Sequence, residues 1–272
     1  MSLINEETVI SLKNIVWHRS GKDILKNISW DVQKGEHWAL LGLNGSGKTS
    51  ILKMITGYQW PNGGEVSVLG KVFGKTNIPE LRKSIGWVSS SLDDQYQSRP
   101  GDTAFEVVLS GKFASIGLYE EITEKDAAKA MELMRQFRIS HLADQLIMSL
   151  SQGERRRAMI ARALMSSPRL LILDEPCNGL DIYSKEELLG TIEEMVAKPG
   201  GPTLLYVTHH IEEIVPSVSH ALLIKSGEVV ALGEKASTLT ESLLERTFKV
   251  PISLDWENGR PWVRIKAYAE KK

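Results

Sequence analysis

The apolar positions of this 272-residue chain follow two alternating regimes. Val9 to Trp17 and Ile24 to Val32 alternate apolar and polar residues and predict strands, joined by a turn at Ser20-Gly21-Lys22-Asp23. Glu65 to Leu69 reads the same way after the turn Pro61-Asn62-Gly63-Gly64. Short β pieces this close together predict an antiparallel layer. Trp38 to Leu41 and Leu170 to Leu173 are unbroken apolar runs, as expected of strands covered on both faces. Ile85 to Ser89 predicts another short strand, and from Ser90 to about Ser149 the pattern turns helical. There, Thr123-Glu124-Lys125-Asp126 has the form of a capping box, and Ala127, Ala130, Met131, Met134 and Phe137 share one helix face. A further helix carries Leu188, Leu189, Ile192, Met195 and Val196 and precedes a strand over Thr203–Thr208. Strand, helix and strand at this spacing is a βαβ unit, so the core sheet is expected to be mostly parallel. Ala221–Ile224 and Glu228–Ala231 flank Ser226-Gly227 as a hairpin. The fold class expected is α/β: a mostly parallel core sheet, an N-terminal antiparallel β layer and an inserted helical subdomain. One domain is expected over residues 1–249, with the insertion at about 90–160 and a short tail over 250–272.

Composition changes this picture little. Apolar residues make up 42% and charged residues 25%, ordinary for a soluble globular protein. The net charge of −1 gives no global attraction to nucleic acid or to an acidic membrane surface. The single cysteine, Cys177, allows no internal disulfide and suits a reducing cytoplasm. Met1 to Val9 carries Glu6 and Glu7 and no basic, apolar signal region, and no run of eighteen apolar residues occurs. The expectation is a chain that does not cross a membrane and is brought to one only by another polypeptide.

Candidate chemistry changes it more. Gly42-Leu43-Asn44-Gly45-Ser46-Gly47-Lys48-Thr49 fits G-x-x-x-x-G-K-[ST], between the apolar run ending at Leu41 and a helical stretch from Ser50 to Thr56. Glycines let successive backbone N–H groups turn toward one anion, and the following helix adds the positive end of its dipole. Lys48 supplies a point charge for the β- and γ-phosphates, and Thr49 a hydroxyl for Mg²⁺. A P-loop NTPase binding a nucleotide with Mg²⁺ is the expectation. Leu170 to Leu173 runs into Asp174-Glu175-Pro176. Carboxylates at the C-terminal edge of a parallel strand lie where ligands bind in such sheets. Asp174 is placed to hold Mg²⁺, and Glu175 to polarise an attacking water. Leu150-Ser151-Gln152-Gly153-Glu154 reads as a second helix start. Arg155-Arg156-Arg157 on that helix point about 100° apart and form no single basic stripe, which speaks for a solvated or packed helix surface.

The order of these motifs resembles the nucleotide-binding subunit of ATP-binding-cassette (ABC) transporters over roughly Val9 to Ala236. That family runs phosphate loop, helical insertion, signature, Asp-Glu strand, switch histidine. Here these are Gly42–Thr49, the insertion, Leu150–Glu154, Asp174-Glu175 and Thr208-His209. The resemblance implies that Ser151 and Gly153 contact the γ-phosphate held by a second subunit, that Asn178-Gly179-Leu180-Asp181 links the two sites, and that His209 hydrogen-bonds the γ-phosphate. It implies catalysis by Glu175, His209 and Lys48. It adds Ser50 to the nucleotide contacts, and Arg19 or Trp17 at the position where the family stacks an aromatic ring on adenine. It puts Ser90 where the family carries a glutamine that touches Mg²⁺. Thr103 to Gly111 is similar to the insertion of iron-chelate-type importers, and Gly35 to Asn44 to molybdate-type cassettes.

The function the resemblance implies is Mg-dependent ATP hydrolysis by a homodimer, or a pair with a related cassette, at the inner face of the cell membrane. That dimer would power a separate integral-membrane permease, with no nucleic-acid partner. The alternative is a soluble ABC switch acting on nucleic acid or ribosomes. Ribosomal versions usually carry two cassettes and DNA-repair versions long coiled coils, and this chain has neither.

Overall fold

The computed structural model describes residues 7–89, 101–113 and 122–266. The chain forms two compact units, one from residues 1–78 and 203–272 and the other from 79–202.

The first unit begins with two long strands, β1 (Thr8–Arg19) and β2 (Lys22–Gln33). They pair antiparallel through the turn at Ser20-Gly21, and the pairing slips at bulges between Leu12 and His18. The alternation predicted for them holds in most of their length: Leu12, Ile15, Leu25, Ile28 and Trp30 are buried between half-buried or exposed neighbours, while Val9 and Ile10 are both buried. A short strand, β3 (Trp38–Leu41), follows, then helix α1 (Lys48–Ile55) and strands β4 (Gly63–Val68) and β5 (Lys71–Val72). The antiparallel sheet has the order β2-β1-β4-β5.

The second unit contains α2 (Ile78–Arg82, whose first residue belongs to the first unit), β6 (Ile85–Val88), α3 (Ala104–Ser110), α4 (Glu124–Gln136), α5 (Gln152–Leu164), β7 (Leu170–Asp174) and α6 (Ile182–Val196). The predicted capping box at Thr123 is present, with Thr123 accepting from Asp126 N–H and Asp126 accepting from Thr123 N–H. A second lies at Thr103 and Glu106. Strands β6 and β7 run parallel. The expected face of α4 packs inward: Ala130, Met134 and Phe137 are buried.

The chain then returns to the first unit with β8 (Thr203–Thr208), β9 (His220–Lys225), β10 (Glu228–Glu234), α7 (Lys235–Thr238) and α8 (Glu241–Phe248). Here β3 lies between β8 and β9, parallel to both, and β10 pairs antiparallel with β9. Every residue of β3 and β8 is buried, which explains their unbroken apolar character. The C-terminal stretch is a hairpin, β11 (Ile252–Glu257) and β12 (Arg260–Ile265), turned at Asn258 (φ 50°) and Gly259 (φ 77°). Two positive φ values in a two-residue loop are the type I′ pattern that matches strand twist. Lys235 ties this hairpin down, its ammonium donating to the carbonyls of Val215, Pro216 and Gly259.

Candidate nucleotide site

Two parallel pairings place the loops that matter. In the first unit, Leu41 pairs with Thr208 and with Leu223, so Gly42 and His209 leave adjacent strands at the same edge. In the second, Val88 pairs with Leu173, and Asp174 and Glu175 follow at that strand edge. These are C-terminal edges of parallel strands, where open α/β sheets bind ligands.

Gly42 has no room for a side chain: a Cβ there would meet the Ile224 carbonyl oxygen at 2.3 Å and Ser46 Oγ at 2.7 Å. Gly47, with φ 112°, is the N-cap of α1, and a Cβ there would meet Leu25 at 2.7 Å. Ser46 N–H donates to the Leu43 carbonyl, and the hairpin residue Gly227 donates to the Ser46 carbonyl at 2.9 Å. The loop is thus wrapped tightly and held from below by the β9–β10 turn. Lys48 is only 6% exposed, and its ammonium donates to the carbonyls of Gly42 at 2.7 Å and Leu43 at 3.3 Å. Ser46 Oγ is buried with no hydrogen-bond partner among the described residues. No side chain caps α1, and its first turn holds no acid. Glycines that a Cβ would clash with, an orphaned buried hydroxyl, a buried ammonium and an uncapped helix start together fit a phosphate chain. Leu43, Asn44, Gly45 and Thr49 are exposed at the rim, and Ser50 is half-buried.

Trp17 stands opposite Leu25 in the sheet, and Leu25 is the residue that abuts Gly47. That register brings the Trp17 end of β1 toward the loop. Arg19 is exposed at the end of the same strand. Past β8, the His209 and His210 rings lie 4.2 Å apart, and His210 faces Glu212 at 3.4 Å. Glu213 is buried beside them and was not singled out from the sequence. It accepts from the hydroxyls of Tyr206 (3.1 Å) and Thr208 (2.8 Å), and burial pushes its carboxyl above the usual range.

In the second unit Asp174 and Glu175 are half-buried at the end of β7. Glu175 has φ 51°, a left-handed conformation uncommon for a residue with a side chain and costing about 1–3 kcal/mol where the surroundings impose it. Ser151 caps α5: its hydroxyl accepts from Glu154 N–H at 3.3 Å, and Glu154 accepts from both the N–H (2.8 Å) and the hydroxyl (2.7 Å) of Ser151. These bonds, the hydroxyl's first, hold the Glu154 carboxyl below its usual range. Gly153 packs against Ser184, where a Cβ would come within 3.0 Å. Gln152 donates to the Asn178 carbonyl at 3.2 Å, which joins the start of α5 to the Asn178–Asp181 loop. Arg156 and Arg157 are buried, and Arg157 pairs with Glu187, so this run packs inside the unit. Cys177 is buried too. Ser90 lies outside the described residues, as does part of the predicted helical insertion.

The family pattern of ABC transporters matches residues 25–178, more than half of the chain and the stretch from β2 through Glu175 to Asn178. The chain belongs to the ABC transporter family. It is a P-loop ATPase of that family, with the α/β cassette fold. An uncharacterized ABC transporter ATP-binding protein of Bacillus subtilis, YlmA, is 48% identical over 94% of this chain and 96% of its own length. The solved structure of cbiO1 from Clostridium perfringens, part of the ABC transporter complex cbiONQ, is 28% identical with a TM-score of 0.74 and covers 88% of this chain and 94% of its own. A dimeric bacterial ABC transporter cassette is 27% identical, with a TM-score of 0.70 over 83% of this chain and 98% of its own. Among the described residues of this ABC cassette, no helix is long and apolar enough to cross a membrane.

Proposed function

We propose that this ABC ATPase pairs head to tail with a second cassette around two ATP molecules and powers a separate membrane permease from the cytoplasmic face. The observation that carries the reading is the tightly wrapped loop Gly42–Lys48, with Ser46 and Lys48 buried and an exposed rim, in a chain that presents a second helix start at the exposed Ser151. In the proposed pair the P-loop of one chain faces Ser151 and Gly153 of the other. The dimeric cassette and the complex-borne cbiO1 support that assembly by similarity.

Within each site, the backbone of Gly42 to Gly47 and the start of α1 bind the phosphates, with Lys48 moving from the loop carbonyls onto the β- and γ-phosphates. Trp17 or Arg19 stacks on the base. Glu175 accepts the proton of the attacking water, and His209 hydrogen-bonds the γ-phosphate. Thr49, with Asp174 and Ser90, would hold Mg²⁺, which would supply charge neutralisation of the phosphates. The hydroxyl and carboxylate oxygens of that set are the hard donors Mg²⁺ takes. Positioning and charge stabilisation supply most of the rate.

The test is Glu175→Gln with ATP, read by size-exclusion chromatography with light scattering. A stable ATP-dependent dimer is expected. A variant that stays monomeric with ATP bound sinks the pairing. Co-purification from detergent-solubilised membranes tests the permease, and recovery with ribosomes or nucleic acid in its place would favour the soluble switch.

A further inference from the structure

Glu213 is a carboxylate buried to 3% exposure, and nothing in the phosphate chemistry above uses it. Burying an ionisable group is costly unless its lone pairs are satisfied. Here one carboxylate oxygen, Oε2, accepts from two hydroxyls, Tyr206 at 3.1 Å and Thr208 at 2.8 Å. Both donors belong to β8 and are themselves buried. The Thr208 hydroxyl, having donated to Glu213, accepts from His210 N–H at 3.0 Å. The Glu213 N–H in turn donates to the His210 carbonyl at 3.3 Å. The result is a closed ring of bonds: His210 N–H to Thr208, Thr208 to Glu213, Glu213 N–H back to the His210 carbonyl. Both backbone polar groups of His210 are held in it. His209 sits between Thr208 and His210, so both of its peptide bonds are anchored at their far ends.

We propose that Glu213 is the positioning residue for His209: through Thr208 and the His210 backbone it fixes the direction in which the His209 imidazole leaves the edge of β8. The inference rests on the reading of His209 as the γ-phosphate ligand. Its reason lies in the geometry of the segment. After Thr208 the strand pairing of the described residues ends, and the chain turns into a 3-10 turn at Ile211–Glu213. The ring holds the backbone on both sides of His209 beyond the end of the strand. Arg260 of the C-terminal hairpin holds the same segment from the other side, its Nε donating to the Glu212 carbonyl at 2.6 Å.

Because a single oxygen accepts both hydroxyls, an amide oxygen can do the same work, and an apolar side chain of similar size cannot. Steady-state ATPase kinetics of Glu213→Gln, Glu213→Leu, Thr208→Val and His209→Ala test the proposal, with ATP affinity measured beside them. Glu213→Leu and Thr208→Val are expected to lower kcat by roughly tenfold to a hundredfold, the cost of a misplaced catalytic contact, while ATP affinity stays within about twofold. Glu213→Gln is expected to keep kcat within about threefold, since only one modest acceptor is changed. The double variant Glu213→Leu with Thr208→Val should be no slower than the worse single one, because both break the same ring. Thr208→Val is the milder substitution and keeps the test open if Glu213→Leu does not fold. Wild-type kcat in Glu213→Leu or in Thr208→Val, with His209→Ala inactive, overturns the positioning role. So does a loss in Glu213→Gln as large as in Glu213→Leu, which would make the charge, and not the acceptor, the working feature. A parallel fall in ATP affinity and kcat would reduce the ring to a folding element. Wild-type activity in His209→Ala is a separate outcome: it removes the histidine reading itself.

Discussion

The two helix starts to which the proposal gives the phosphate chemistry are built in opposite ways. Helix α1 in the first unit begins at Gly47, in a left-handed conformation, with no capping side chain and no acid in its first turn. Helix α5 in the second begins with a complete capping box, Ser151 and Glu154 satisfying each other's backbone N–H groups. A helix start that no side chain caps and no acid approaches is good at holding an anion. A helix whose first donors are met is stable by itself and carries a carboxylate where an anion would sit. The difference separates two jobs. The first start is made to bind nucleotide in its own chain. The second is made to stand complete, and in the proposed pair it is offered to a phosphate of the partner through the exposed Ser151.

Substitutions sharpen that contrast. The largest effect is expected from Glu175→Gln, which should lower hydrolysis by about 10²–10⁴-fold, the range for loss of a general base. Nucleotide affinity should stay at the wild-type level, measured with a fluorescent ATP analogue. If affinity falls with the rate, the division between binding in the first unit and chemistry in the second is wrong. Lys48→Ala comes next. Removing a charge-assisted contact to phosphate should weaken ATP binding by roughly tenfold to a hundredfold, at about 1.5–3 kcal/mol. No other lysine should matter as much, and a variant that binds the analogue as tightly as wild type would falsify the loop's assignment.

Gly47→Ala should follow. Its φ of 112° and the 2.7 Å approach to Leu25 impose strain of about 1–3 kcal/mol on any side chain. Lower ATP affinity together with a lower melting temperature is the expected pair of readouts. The smallest effect is expected from Glu154→Ala, which removes one half of a capping box. That should cost about 1 kcal/mol of stability at neutral pH and leave ATP affinity unchanged. The sign with pH follows from the lowered Glu154 carboxyl. A carboxylate depressed in the folded state stabilises above its unfolded value, near 4.3, and that stability is lost as pH falls through the folded value. Melting curves of wild type and Glu154→Ala should therefore converge once the pH has fallen below the lowered folded-state value of Glu154. A gap that persists there contradicts the cap as its source.

Much of this was legible in the sequence, for a physical reason. The phosphate loop, the strand into Asp174 and the helix start at Ser151 each depend on residues within eight positions of one another, so spacing alone carries the geometry. The all-apolar β3 and β8 were legible because both faces are covered. What escaped depends on contacts made by folding. Glu213 is informative only once Tyr206, Thr208 and His210 converge on it, and in the sequence nothing separates it from its neighbour Glu212. The C-terminal hairpin escaped for a different reason. Asn258-Gly259 between Ile252–Glu257 and Arg260–Ile265 is a strong turn signal, but so short a tail offers no core of its own, and its partners lie at Glu212, Lys235, Glu241 and Glu245. Arg156 and Arg157 were separable from a nucleic-acid stripe by helix geometry, while their burial was set by neighbours such as Glu187.

The ammonium of Lys235, shared among the carbonyls of Val215, Pro216 and Gly259, has a practical use. An amine whose hydrogens are all engaged reacts slowly with acylating reagents, which attack the free base. Its labelling rate, followed by mass spectrometry against an exposed lysine such as Lys13, therefore becomes a clock for undocking of the hairpin from the segment that follows His209. One lysine would report, without any engineered probe, whether nucleotide in the loop is felt at the far end of the chain.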